Sequence, residues 1–168
     1  MATRLIQGVA VEIEGSGAPV VCIHGLGGSS NLWTPLAASL SRYRQVRIDL
    51  PFSGRSGSPG GAADLHTLTA SVRAVFEALA LPRAHLVGHS MGAMVCLALA
   101  AQAPQLVASL ALFAPLPGAD ESARPGLRAR ADAARIGGDA ALQQIADQAV
   151  AGTTAAATRS ARPIAAAF

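Results

Sequence analysis

Ser90 stands in the stretch "VGHSMGA", where Gly88, His89, Ser90, Met91 and Gly92 form a G-x-S-x-G pattern. A serine hydroxyl at its own pKa is a weak nucleophile and needs an adjacent group, usually histidine, to take its proton. As bare spacing the pattern is common, but its setting makes it specific. An apolar run, "AHLVGH", precedes it and a longer one, "MGAMVCLALAAQ", follows. Strand, sharp turn and helix would push the Ser90 hydroxyl out above a sheet. Gly88 and Gly92 are then needed where a Cβ would collide with neighbouring backbone. The start of the helix aims its free N–H groups at the same spot.

A second stretch, "HGLGGSS", also follows an apolar run. Acyl chemistry at Ser90 requires two backbone N–H groups to meet over a tetrahedral oxyanion. The expected donors are Met91, the residue after the nucleophile, and Leu26 in this first loop. Removing one such donor typically costs about 3–4 kcal/mol of transition-state stabilisation. His24 and Gly25 are expected to support that loop. His89, beside Ser90 on a sharp turn, is expected to point away from the hydroxyl. Leu26, Trp33 and Met91 are candidates to line a substrate pocket, although packing of the first helix explains Trp33 equally well. His66 and His85 read as a helix-surface and a strand-start residue.

The base is the difficulty. The four histidines are His24, His66, His85 and His89, and none follows Ser90. Carboxylates after Ser90 are Asp120, Glu121, Asp132, Asp139 and Asp147. Two rival chemistries are weaker. "HGLGGSS" followed by Asp49 imitates a dinucleotide fingerprint, but Ser30 stands where G-x-G-x-x-G needs its third glycine. A Walker-type phosphate loop needs a lysine, and the chain has none. Asp49 is expected to be a structural acid that fixes the "SGRS" loop.

The elements that must position these residues follow from periodicity. The chain has 168 residues, half of them apolar and 14% charged, which fits a globular chain and excludes a disordered one. "RLIQGVAVEIE" alternates around Gly8 as a hairpin does. "APVVCIHG" reads as a strand buried on both faces, and "QVRIDLP", "RAHLVGHS" and "LVASLALFAP" read as further strands. "SSNLWTPLAASLSR" reads as a helix capped by Ser30, and Leu65, Leu68, Val72, Val75, Phe76 and Leu79 mark an amphipathic helix ending at Pro82. Met91 to Gln102 is apolar on nearly every face and reads as a buried helix. "FSGRSGSPGGAAD" is a loop. Strand and helix alternate, so the expected fold is α/β: a doubly wound, mostly parallel sheet with helices on both faces. Two helical pieces are expected around Glu121 to Ile136 and Asp139 to Val150, ahead of an Ala-rich tail.

Composition excludes several partners. The thirteen basic residues are all arginine and scattered. The tightest group, Arg124, Arg128, Arg130 and Arg135, lacks the aromatics and density of a nucleic-acid stripe. Two cysteines, Cys22 and Cys96, are too few for a disulfide framework or a cysteine metal site, and both read as buried thiols. "MATRLIQG" has no apolar signal core, and Met91 to Ala101 is too short to span a bilayer. The expectation is a cytoplasmic protein with no metal, no organic cofactor, no nucleic acid and no membrane contact.

"HGLGG", "DLPFSGRS" and "GHSMG", in this order and spacing, resemble the α/β-hydrolase family from about Val9 to Pro117. The similarity is strongest to small bacterial esterases and lactonases of the 3-oxoadipate enol-lactonase kind. The resemblance implies that the strands before "HGLGG" and "GHSMG" are neighbours, with the site at a topological switch point. It implies a core over residues 1–118 and the incomplete start of a helical cap over 119–168. It also implies a triad running Ser, Asp or Glu, then His. The triad acid and the histidine are both expected beyond residue 168, with Asp120 just after the last strand as the alternative acid, and the last two strands of the family's sheet are absent. The expectation is therefore a fragment of a serine hydrolase acting on a small ester or lactone through an acyl-enzyme on Ser90. Its missing C-terminal segment would complete the fold and carry the base, so this chain alone is expected to be inactive. A non-catalytic binding module, or one half of a two-chain enzyme, is the alternative. One departure stands out. The family often has glycine where this chain has Phe52, and a positive φ there would strain a phenylalanine.

Overall fold

A computed structural model describes residues 2–58, 63–115 and scattered helical positions between 124 and 136. The chain divides into two units, Met1–Pro117 and Gly118–Phe168, and every candidate site residue belongs to the first. Strand β1 (Ala2–Ile6) and strand β2 (Val9–Glu14) pair antiparallel. Gln7 and Gly8 join them with φ of 48° and 82°. Two consecutive positive φ values make the tight turn whose twist matches that of the strands.

Four further strands follow: β3 (Pro19–Ile23), β4 (Arg44–Ile48), β5 (Ala84–His89) and β6 (Val107–Phe113). The sheet order is β1-β2-β4-β3-β5-β6. β4, β3, β5 and β6 run parallel, and β2 meets β4 antiparallel. From β3 the chain steps to β4 on one side, then returns to place β5 on the other. Winding therefore reverses at β3 and β5, and their C-terminal ends open the crevice where open α/β sheets bind ligands.

Helices α1 (Leu65–Ala78) and α2 (Met91–Gln102) pack together on one sheet face. Leu68, Val72, Val75 and Phe76 of α1 and Val95, Cys96 and Leu99 of α2 close over Val21, Ile23, Val46, Ile48 and Leu86. Each fully buried side chain of this size contributes roughly 1.5–3 kcal/mol. Asp64 caps α1 by accepting the Thr67 amide at 2.7 Å. The outer side of α2 is less covered than its composition suggests. Gly92, Ala93, Val95, Cys96 and Leu99 are buried, but Met94, Leu97 and Ala98 are only half-buried. A helix lying on a sheet turns one side away from it, whatever its residues.

The opposite face holds two corrections. The segment after β3 is a 3₁₀ helix, Ser30–Leu36, not an α-helix. Pro35 lies inside it and has no N–H to give. Its cap is Ser29, not Ser30: Ser29 has an extended backbone and its Oγ accepts the Asn31 amide, while the Ser30 hydroxyl is held by Arg55 and its amide donates to Asp49 Oδ1 at 2.6 Å. This face also buries charge. Glu12 and Arg47 are each 2% exposed and pair at 3.4 Å, and Arg47 reaches Glu14 at 3.1 Å.

Helical residues occur at 124–126, 128, 129, 132 and 136, within the first expected helical piece. The second piece, the Ala-rich tail and the carboxylates Asp120, Glu121, Asp139 and Asp147 lie outside the described residues. Among the described residues no helix is long and apolar enough to cross a membrane.

Candidate active site

Ser90 occupies the single residue between β5 and α2, with φ 51° and ψ −114°. A serine rarely takes such a backbone, and here both of its backbone groups are held. Its N–H donates to Phe113 O at 2.9 Å, and its carbonyl accepts the Ala93 amide at 3.0 Å. The glycines around it are dictated by contact. A Cβ on Gly88 would lie 2.7 Å from Cys96 Sγ and from Gly92 O. One on Gly92 would run into the backbone oxygens of Ile23 and His24. The first turn of α2 is thus pressed against the end of β3. A Cβ on Gly25 would sit 3.1 Å from Ser90 Cβ and 2.9 Å from His89 Nδ1, so the first loop lies against the serine turn.

Among the described residues, the amides of Met91 and Gly92 have no acceptor, as the start of a helix leaves them. The Leu26 amide, in a turn after β3, has none either. It is not spent in a helix or sheet bond.

His24 is fully buried with both ring nitrogens in use. Nε2 accepts the Leu50 amide at 2.9 Å, and Nδ1–H donates to Gly25 O at 2.7 Å. Burial lowers its pKa, despite the Gly25 bond and the Asp49 charge that favour the imidazolium. It is a neutral brace between the first loop and the end of β4, with no lone pair left for a serine proton. His89 is half-buried, its Nδ1 facing Gly25. His85 lies on the sheet, its Nδ1 2.8 Å from Ser109 Oγ.

Asp49 is buried and organises both loops. Oδ1 accepts Ser30 N–H at 2.6 Å, and Oδ2 accepts the Arg55 amide at 3.0 Å and its Nε at 3.1 Å. Burial pushes the carboxyl up, but these bonds outweigh it and hold it below its ordinary value. Arg55 was not legible as a site residue. It ties Asp49 to Ser30 Oγ at 2.8 Å, to Thr3 Oγ1 at 3.2 Å and to Glu12 at 2.8 Å. One side chain thus joins the N-terminal hairpin to both loops. Its only sequence signal is its place in "SGRS".

Leu26 and Met91 line a cleft of about 380 Å³ with Pro51, Phe52, Ala63 and Leu68. Trp33 is not on its wall. It is 4% exposed, packed with Val20 and Cys22, its ring centroid 6.4 Å from that of Phe113. The 3₁₀ helix turns it under the sheet rather than toward the strand ends. A larger cavity of about 450 Å³, lined by Arg73, Phe76, Leu81, Gln102 and Leu106, lies at the opposite strand ends, away from Ser90. The smaller one adjoins the unspent amides. Among the described residues, no three His, Cys, Asp or Glu side chains gather as a metal site requires.

A serine on a strained strand-to-helix turn, at the switch point of a mostly parallel sheet, defines the α/β-hydrolase class of architecture. The family description "alpha/beta hydrolase fold" matches residues 18–153, and the chain belongs to that family. It is 42% identical over 112 residues to a dihydrolipoyllysine-residue acetyltransferase component of the acetoin cleaving system of Pseudomonas putida, covering 66% of this chain and 30% of that protein. It is 43% identical over 112 residues to a pimeloyl-[acyl-carrier protein] methyl ester esterase of Methylococcus capsulatus, covering 66% and 42%. Among solved structures, a thermophilic esterase from Thermogutta terrifontis superposes with a TM-score of 0.71 at 27% identity, over 76% of this chain and 48% of that one. The chain spans less than half the length of these relatives.

Proposed function

We propose that this chain carries the nucleophile of a serine hydrolase that cleaves a small ester or lactone. The observation that carries the reading is Ser90 at φ 51° between β5 and α2, beside amides of Met91 and Leu26 that have no acceptor among the described residues. Ser90 Oγ attacks the acyl carbon and loses its proton to a base. The carbonyl oxygen becomes an oxyanion that accepts hydrogen bonds from Leu26 and Met91 N–H. The bond to the leaving alcohol breaks as the base returns the proton, leaving an acyl-enzyme. Water then displaces the serine. Such acyl transfer needs no organic cofactor.

His24 and Gly25 hold the first loop, and Gly88 and Gly92 allow the close approach on which the oxyanion site depends. The Leu26 and Met91 side chains contact the substrate. His24 has no nitrogen to spare and His89 faces Gly25, so the base is proposed to be a histidine from outside residues 1–168, on the same or a second chain. Residues 119–168 are proposed to begin a helical cap. Two buried free thiols, Cys22 and Cys96, support a reducing, cytoplasmic setting.

The test is p-nitrophenyl acetate hydrolysis. Residues 1–168 should show only residual turnover, and supplying the histidine-bearing sequence should raise it. Ser90→Ala in that active form should lower kcat by roughly a thousandfold or more without changing the circular dichroism. Unchanged turnover in Ser90→Ala removes the serine from its role. Enzyme-like, Ser90-dependent turnover by residues 1–168 alone would move the base to one of the four histidines present.

A further inference from the structure

Phe52 is the least expected residue at the site. Its φ is 66°, in the left-handed region that an aromatic residue seldom enters. A glycine would take this backbone freely. The ring nevertheless stands on the wall of the cleft and remains 38% exposed. Leu26 shares the same cleft and is 84% exposed. Pro51, Leu68 and Met91 line the same cleft, and among the described residues none of its lining side chains carries a charge. Two large apolar side chains are therefore held in water beside the Ser90 turn, one of them on a backbone that resists it. Strain kept at a cleft is a pointer to function when the strained residue faces the ligand.

We propose that Phe52, with Leu26, forms an apolar clamp that selects substrates carrying an aliphatic group of several carbons over acetyl esters. The inference rests on the hydrolase reading for the identity of the ligand. The cleft is at the small end of ligand pockets, which suits one short aliphatic chain and not a bulky ring system. Contact with the chain covers both side chains and removes apolar surface from water. A polar or charged group in the same place would lose its hydration and, among the described residues, find only Ser53 as a polar side chain on the wall.

The experiment measures binding of acetate, butyrate and hexanoate to the chain by saturation-transfer NMR at micromolar protein. Hexanoate should bind roughly tenfold more tightly than acetate, the scale that apolar pocket contacts reach. Phe52→Ala removes the ring and keeps the strained backbone; Phe52→Gly removes both. Both should bring the hexanoate-to-acetate ratio close to one, with thermal melts confirming a folded chain. Equal binding of the two acids by the unmodified chain overturns the clamp. So does a wild-type ratio in both variants, or a change confined to Phe52→Gly, which would assign the effect to the backbone. Saturation transfer needs no turnover, so these outcomes are independent of Ser90 chemistry. A chain-length effect in residues 1–168, with no Ser90-dependent hydrolysis even when the histidine-bearing sequence is supplied, sinks the hydrolase reading and leaves the clamp standing.

Discussion

The point where β3 and β5 end and the free side of β6 are built on opposite terms. At the first, almost every group is assigned. The Gly92 site leaves no room for a Cβ, His24 uses both ring nitrogens, and Asp49 accepts from two loops. The amides without acceptors there are the ones that would serve a reacting oxygen. At the second, little is assigned. β6, "VASLALF", carries no charge, pairs only with β5 among the described residues, and leaves Leu110 and Phe113 38% and 50% exposed. The sheet's other margin differs again: β1 is short and carries exposed Arg4, as natural edge strands do. β6 has the composition of an interior strand. Position is over-determined where chemistry is expected and under-determined where an apolar strand has, among the described residues, a neighbour on one side only.

The comparison breaks most visibly at Gly92. Gly92→Ala should destabilise the chain by about 3 kcal/mol or more, because relief requires α2 to move off β3. In an exposed helix the same change would stabilise by up to about 1 kcal/mol, so urea denaturation decides by sign alone.

Asp49→Asn should cost about 2–3 kcal/mol, since its amide cannot accept from both Ser30 and Arg55. Acid should act on the same region. The folded-state pKa of His24 is depressed, so its contribution is full above its ordinary 6.5 and is lost as pH falls through the lower folded value. Asp49, also depressed, contributes above its ordinary 3.8 and loses that contribution in stronger acid. Denaturation midpoints should therefore begin to fall just below pH 6.5 and fall again in strong acid. Asp49→Asn should flatten the second step and, by removing the charge that favours the His24 imidazolium, extend the first to lower pH.

A smaller effect separates strain from contact at Phe52. Phe52→Gly should be more stable than Phe52→Ala by about 1 kcal/mol, because only glycine relieves the positive φ. Equal melting temperatures would mean the loop relaxes at no cost. Smallest in stability, and aimed at the other region, is Ala111→Lys on exposed β6. It should shift the melt by less than about 0.5 kcal/mol. It should nonetheless suppress the self-association and ANS binding expected of the unmodified chain on size-exclusion chromatography and dye titration. A sharp monomer peak at all concentrations for the unmodified chain would show that the β6 margin is not adhesive.

Much of this protein was determined by local sequence. A continuous apolar run announced β3, strand-length stretches bounded by turn residues announced β4, β5 and β6, the Leu68–Val72–Val75–Phe76 spacing announced α1, and Gly88 and Gly92 around Ser90 announced the serine turn. These are properties of neighbouring residues, governed by periodicity and by room for a Cβ. What the tertiary structure decided is whatever depends on residues distant in the chain. Glu12 and Arg47 look solvated until β2 and β4 are paired, and Arg55 looks like a loop charge until the hairpin brings Thr3 and Glu12 to it. Ser30 looked like a cap until the fold gave its hydroxyl to Arg55 and the capping to Ser29, and Trp33 looked like a pocket residue until the 3₁₀ turn carried it under the sheet. The same holds for φ at Phe52. A sequence could state the condition under which that residue would be strained, but only the folded loop, held by Asp49 and Arg55, imposes it.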